Sequence, residues 1–237
     1  MPRTDGRKAD ELRKVKLTPN FTKFAEGSCL IEMGNTMVLC TASVEEKVPP
    51  HVKFGGWVTA EYSMLPRANR SRSPRDISKL KLAPRSAEIQ RLIGRSLRGA
   101  VDLSLLGERT ITVDCDVLQG DGGTRTASVT GGFLALALAL QGLVDAGLLD
   151  RMPIKNVISG VSAGVVDDEP LLDLCYEEDS RAAVDLNCVM SADGRIIELQ
   201  ATGEGRSFTV EEQQKLVELC RKGNTELCEL LKRYIER

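Results

Sequence analysis

Two short stretches carry residue types and spacings that can do chemistry. The first is Gln119-Gly120-Asp121-Gly122-Gly123-Thr124-Arg125-Thr126, which follows an alternating run and opens a strongly apolar one. Its three glycines let the backbone turn sharply and let a ligand approach the amides closely. At a helix start the free N–H groups point outward, and the helix dipole favours an anion there. Thr124 and Thr126 add hydroxyls, and Arg125 adds a planar cation suited to phosphate. The P-loop pattern with its lysine is absent, as is the dinucleotide fingerprint. Read alone, the turn fits an anion site and an ordinary strand–helix connection equally well. Arg85 heads another periodic run and is either a second cation for the same anion or a surface residue.

The second stretch is Tyr176-Glu177-Glu178-Asp179-Ser180-Arg181-Ala182-Ala183-Val184-Asp185-Leu186-Asn187. Asp179 and Asp185 lie six residues apart, so a continuous strand would put both carboxylates on one face. Such a pair binds a divalent metal through oxygen or serves as general acid and base. The alternative is a solvated acidic loop leading into a strand. An anion turn, a carboxylate pair and a basic surface together suit phosphoryl transfer, where positioning and charge stabilisation supply most of the catalysis.

The basic surface is hidden in the totals, where 32 Lys and Arg face 34 Asp and Glu for a net charge of −2. Within 65–98 there are eight arginines and two lysines against two acids, Asp76 and Glu88. That segregation points to a polyanionic partner, or else to surface ion pairs with the acidic C-terminal third. The seven cysteines are scattered without a Cys-x-x-Cys pair and read as small buried hydrophobes in a reducing compartment. The single histidine, His51, falls in a polar loop and reads as solvated. With 42% hydrophobic and 28% charged residues, the composition is that of an ordinary globular protein. The longest apolar run, 133–140, is too short to cross a membrane, and the start lacks a signal-peptide core; a cytoplasmic protein is expected.

These residues need elements to hold them. Strands are expected at 27–33 and 36–44, joined at Gly34-Asn35, and at 57–62. The loop 66–75 has no apolar periodicity and is expected to be mobile without a ligand. Ile89, Leu92, Ile93, Leu97 and Val101 mark an amphipathic helix from Arg85 to near Gly107, with Arg91, Arg95 and Arg98 on its far side. Residues 111–117 alternate as a strand, with Thr112, Asp114 and Asp116 facing away from the apolar set. An apolar helix is expected over 127–145, capped by Gly147, with Gly131 and Gly132 marking close packing. Strands follow at 157–166, 171–176, 184–190 and 195–200, then two helices at 210–221 and 225–235. The plan is a mixed-sheet layered domain, α/β or α+β, of two similar halves, 1–150 and 151–237.

Several motifs then match one family. The block Ala87-Glu88-Ile89-Gln90-Arg91-Leu92-Ile93-Gly94-Arg95-Ser96-Leu97-Arg98 resembles the signature helix of the ribonuclease PH family. So do Asp114–Gln119 followed by Asp121–Ser128, the Glu178-Asp179-Ser180…Val184-Asp185-Leu186-Asn187 block, and Gly194–Gln200. The resemblance runs from about Arg7 to the last helix. It implies a ribosomal-protein-S5-domain-2-like fold of βαβα layers and a homohexamer built as a trimer of dimers. It also implies phosphorolytic 3′→5′ trimming of RNA, notably tRNA precursors, with release of nucleoside diphosphates and reversible nucleotide addition. Carried over by motif, Arg85, Gly123, Thr124 and Arg125 would bind inorganic phosphate. Asp179 and Asp185 would be the catalytic carboxylates, through Mg²⁺, proton transfer to the leaving 3′-oxygen, or both. Arg67, Arg70, Arg72 and Arg75 would guide the RNA 3′ end. One departure is Leu82-Ala83-Pro84, where the family is richer in glycine; it leaves open the path into Arg85. The rival readings are a catalytic subunit of an exosome-like ring, against which the contiguous 88–98 block argues, and a silent ring subunit, against which the intact phosphate turn and carboxylates argue.

Overall fold

The computed structural model describes residues 3–75 and 82–235. The first sheet has the strand order β1-β2-β3-β5-β4, formed by β1 (Val15–Pro19), β2 (Gly27–Met33), β3 (Thr36–Glu45), β5 (Thr110–Gln119) and β4 (Trp57–Met64). Its ladders are antiparallel except β4–β5, which is parallel. That parallel pair needs a crossover, which includes helix α1 (Pro84–Ala100). The second sheet is wholly antiparallel in the order β7-β6-β8-β9: β7 (Glu169–Leu172), β6 (Ile158–Val166), β8 (Val184–Ser191) and β9 (Ile196–Gly203).

Helix α2 (Thr124–Asp145) lies between the two sheets, touching β2, β3 and β5 on one side and β6 and β8 on the other. Burial on both sides explains its near-uniform apolarity. By length and composition it is the one described helix able to cross a membrane, against the sequence expectation, yet 78% of its apolar window is buried inside the protein. Gly131 confirms the close packing expected there: a Cβ would sit 2.6 Å from Ile31 Cγ2 and 2.9 Å from Cys40 Sγ. Helix α4 (Val210–Ile235) covers the far face of the second sheet. One continuous apolar core runs through both sheets and all three long helices.

Several expectations are corrected. Helix α1 stops at Ala100 and not near Gly107, because Val101 turns extended to bridge Ile154 and Asp102 caps a separate 3-10 turn at Leu103–Leu105. The two C-terminal helices are one. Asn224, in the gap expected between them, donates to the Cys220 carbonyl at 3.0 Å and accepts from Ser159 Oγ at 2.7 Å. Strand β1 was not foreseen; five residues of mixed burial give little alternation to read. All seven cysteines are buried, as small core hydrophobes should be. His51 is exposed, with its ring edge-on to Trp57 at 5.1 Å.

Candidate active site

The glycine turn joins β5 to α2, and the helix begins three residues earlier than the apolar run alone suggests. Thr124 and Arg125 therefore stand in its first turn, where their amides are unpaired. Gly122 and Gly123 have φ values of 78° and 64°, which disfavour any residue with a Cβ. At Gly122 a Cβ would also meet the Leu174 carbonyl oxygen at 2.4 Å. Close approach and handedness both select glycine here.

The turn is braced by residues far away in sequence. Thr36 Oγ1 donates to the Gly122 carbonyl at 2.7 Å and accepts from the Asp121 N–H at 3.0 Å. Arg13 Nη1 donates to the Asp121 carbonyl at 2.6 Å. The same guanidinium forms a buried fork on Asp173, with Nη2 to Oδ1 at 2.7 Å and Nε to Oδ2 at 3.0 Å. Burial alone would lower the Arg13 pKa, but the Asp173 charge and hydrogen bonds hold it above its ordinary value. On the cavity side, Tyr62 and Thr124 share a hydrogen bond of 2.9 Å between their hydroxyls. Burial raises the Tyr62 hydroxyl above its usual range, opposed by that bond and by the charges of Arg85 and Arg125.

Pro84 opens α1 and Arg85 follows it, so the departing Leu82-Ala83-Pro84 approach ends with proline at a helix start, where proline is well suited. Arg125 is aimed by Gln200 of β9, whose Oε1 accepts from Nη1 at 2.8 Å while its Nε2 donates to Glu88 of α1 at 2.7 Å. The catalytic candidates reach the same place by a route the sequence did not suggest. The strand expected over 171–176 ends at Leu172, because Asp173 takes φ 54°. The chain then forms a one-turn helix α3 (Tyr176–Asp179), which carries Asp179, while Asp185 lies in β8. The two carboxylates do not share a strand face, yet both line one cavity.

Burial holds the Asp179 carboxyl above its ordinary value, against the charges of Arg85, Arg125 and Arg13. Asp185 is likewise raised, first by burial and then by the charge of Asp179, with Arg125 and an Asn187 hydrogen bond opposing. The Asn187 amide donates to both Asp185 oxygens, at 3.0 and 3.2 Å. The cavity, of about 680 Å³, also contains Arg85, the glycine turn and Arg70 in its lining. A tetrahedral anion held by the turn and two arginines would thus stand against two carboxylates. That is an arrangement for transferring a phosphoryl group.

Of the four loop arginines, Arg70 alone lines this cavity; Arg67, Arg72 and Arg75 are exposed outside its lining. The loop is tied to the turn, since the Gly120 N–H donates to the Ala68 carbonyl at 2.8 Å. The expected arginine face is also partly spent on the fold. Arg95 pairs with Glu198 at 2.8 Å, and Arg98 lies 4.4 Å over Trp57 while donating to the Val58 carbonyl. Asp114 and Asp116 stand beside Glu61 on the first sheet, away from the cavity lining, raised by burial and by the Glu61 charge. Arg13, Thr36, Tyr62, Asp173, Asn187 and Gln200 were missed; only Asn187 and Gln200 lay in a motif that could have flagged them.

Residues 11–140 match the model of the 3′ exoribonuclease family, domain 1, and residues 156–223 match that of domain 2. A Ribonuclease PH of Moorella thermoacetica is 53% identical over 99% of this chain and 95% of its own length. Among solved structures, the Archaeoglobus fulgidus exosome with RNA bound to the active site aligns at a TM-score of 0.83 and 26% identity, covering 97% of this chain and 92% of that one. Rice (Oryza sativa) Rrp46, at 18% identity and a TM-score of 0.78, shares the fold over 98% of this chain and 100% of its own.

Proposed function

The chain belongs to the 3′ exoribonuclease family, and from that premise we propose that its central cavity shortens RNA from the 3′ end by phosphorolysis. The observation that carries the reading is one cavity lined by Arg85, Arg125 and the start of α2 together with Asp179 and Asp185, close enough that the arginine charges act on the carboxyls. Inorganic phosphate binds to Arg85, Arg125, the Thr124 hydroxyl and the amides after Gly123. One of its oxygens attacks the phosphorus of the terminal phosphodiester. The bond from that phosphorus to the 3′-oxygen of the preceding nucleotide breaks, and that oxygen takes up a proton. A nucleoside 5′-diphosphate leaves, and the RNA ends one residue shorter with a free 3′-hydroxyl. A phosphodiester is exchanged for a phosphoanhydride, so the reaction runs in both directions.

Asp185 and Asp179, which line the same cavity, are assigned to protonate the leaving oxygen. A carboxyl held above its ordinary range is a better proton donor near neutrality than an unperturbed one. The same two residues fit Mg²⁺, which typically takes one or two carboxylates and completes its shell with substrate phosphate oxygens and water. Bound there, the metal would neutralise charge on the transferring phosphoryl group. Arg125 and Arg85 orient the nucleophile, while Asn187 fixes the Asp185 carboxylate.

We extend the reading to tRNA precursors as substrates and to a homohexamer arranged as a trimer of dimers, with residues 1–150 and 151–237 as its two halves. The family resemblance supports these. The test is to incubate the purified chain with a 3′-extended tRNA, with and without phosphate and Mg²⁺. Nucleoside diphosphate release that requires phosphate is expected, and monophosphates formed without it would overturn the mechanism. Mass photometry should report six chains of 25.9 kDa.

A further inference from the structure

Tyr176 stands at the mouth of the cavity with no task in the phosphate or carboxylate chemistry. It opens the short helix that ends at Asp179, three residues on, about 4.5 Å of helical rise away. Its backbone is held in place: its N–H donates to Asp121 Oδ1 at 3.3 Å, and the Asp121 N–H donates to Thr36 Oγ1 at 3.0 Å. The backbone that carries the ring is therefore tied to the anion turn and shares a one-turn helix with Asp179. The residue is nevertheless 49% exposed. The Arg70 guanidinium lies over the ring, 5.6 Å from its centroid, and pairs with Glu177 Oε1 at 3.1 Å.

We propose that Tyr176 and Arg70 form a nucleobase subsite, in which the 3′-terminal base stacks on the Tyr176 ring and Arg70 closes over it. The inference rests on the reading of this cavity as a site of RNA phosphorolysis. An exposed aromatic ring beside a phosphate-transfer site offers a base what water cannot, a flat polarisable face, and every base accepts it whatever its sequence. The present occupant of that face is easily moved. Arg70 is bound by a solvent-exposed cation–π contact and an exposed ion pair, both of the weak class. Once displaced, its planar guanidinium can stack on the far side of the base or reach the neighbouring phosphate. Tyr176 and Asp179 belong to the same one-turn helix and line the same cavity, so a base on this ring is assigned to the nucleotide whose phosphorus is attacked.

The test uses the full chain and two 5′-fluorescein oligoadenylates, one intact and one lacking only its 3′-terminal base. Binding is followed by fluorescence anisotropy without phosphate. Tyr176→Ala should weaken binding of the intact oligonucleotide by roughly 5- to 150-fold, whereas Tyr176→Phe should stay within about twofold. On the abasic oligonucleotide, wild type and Tyr176→Ala should bind alike. In turnover the loss should fall on the KM for RNA and leave the KM for phosphate in place. Equal binding of the intact RNA by wild type and Tyr176→Ala would overturn the proposal. So would an equal loss on both oligonucleotides, which would mark the tyrosine as structural. Failure of wild type to release diphosphates would remove the phosphorolytic reading by itself, and the anisotropy comparison would still decide the stacking.

Discussion

Arg13→Met tests whether the anion turn depends on a brace more than a hundred residues away in sequence. The side chains of Arg13 and Asp173 are 4% and 0% exposed. The substitution removes two guanidinium bonds to the Asp173 carboxylate and the donors to the Asp121 and Gly122 carbonyls. What remains for Asp173 is the Arg13 backbone N–H at 2.8 Å and a looser approach by Arg7 Nη1 at 3.7 Å. Removing one partner of a buried pair costs about 3–5 kcal/mol, and the residual Arg7 contact favours the lower end, ~3 kcal/mol. For a chain of this size ~2–4 °C per kcal/mol applies, so thermal unfolding should fall by roughly 6–12 °C. Freed carbonyls let the turn shift, and a loss of ~1–2 kcal/mol in anion binding corresponds to roughly a 5- to 30-fold rise in the KM for phosphate. Calorimetry and phosphate-varied kinetics read the two effects separately. The double variant Arg13→Met/Asp173→Asn removes the stranded charge and keeps a side chain tolerant of the left-handed backbone at 173. It should recover part of the stability and none of the phosphate affinity. A double variant no more stable than the single one would refute the buried-charge account, and an unchanged KM for phosphate would refute the brace.

Three further outcomes are expected. Asp185→Asn should cut turnover by about 10²–10⁴-fold. Because the folded state raises this carboxyl, the stability it contributes in acid is lost as pH rises through its folded pKa. The variant should therefore melt no lower than wild type at neutral pH, and unfolding would return the residue to a structural role. Arg125→Ala should raise the KM for phosphate by roughly 10- to 100-fold while RNA affinity measured by anisotropy changes little; an equal loss of both would place Arg125 on the polymer. Glu178 is raised by burial but lowered overall by the Arg3 fork, the Cys175 amide and the Arg7 charge. Its contribution is full above about pH 4.5 and is lost as pH falls through its lower folded value. Urea midpoints of wild type and Glu178→Gln should thus differ most near neutrality and converge in acid; a constant gap would contradict the linkage.

The sequence alone determined the local features whose causes are local. Glycines at 120, 122 and 123 next to Thr124-Arg125 announce a sharp turn into a helix, because backbone handedness and unpaired amides depend on neighbours in the chain. Alternation over 111–117 and the three-and-four-residue period from Ile89 likewise follow from burial on one side of an element. The motif order carried the family and, with it, the roles proposed for Arg85, Asp179 and Asp185. Tertiary structure decided what contacts between distant segments create. Asp179 reaches the cavity from a one-turn helix and not from a strand, since Asp173 breaks the extended chain in order to pair with Arg13. The break expected between 221 and 225 is absent because the partners that hold Asn224, Ser159 and the Cys188 carbonyl, lie in the second sheet. Of the eight arginines in the basic segment, the fold turns Arg95 and Arg98 to internal partners and brings Arg70 to the cavity mouth. An arginine's partner is fixed by whatever stands across from it in space, and spacing along the chain does not encode that.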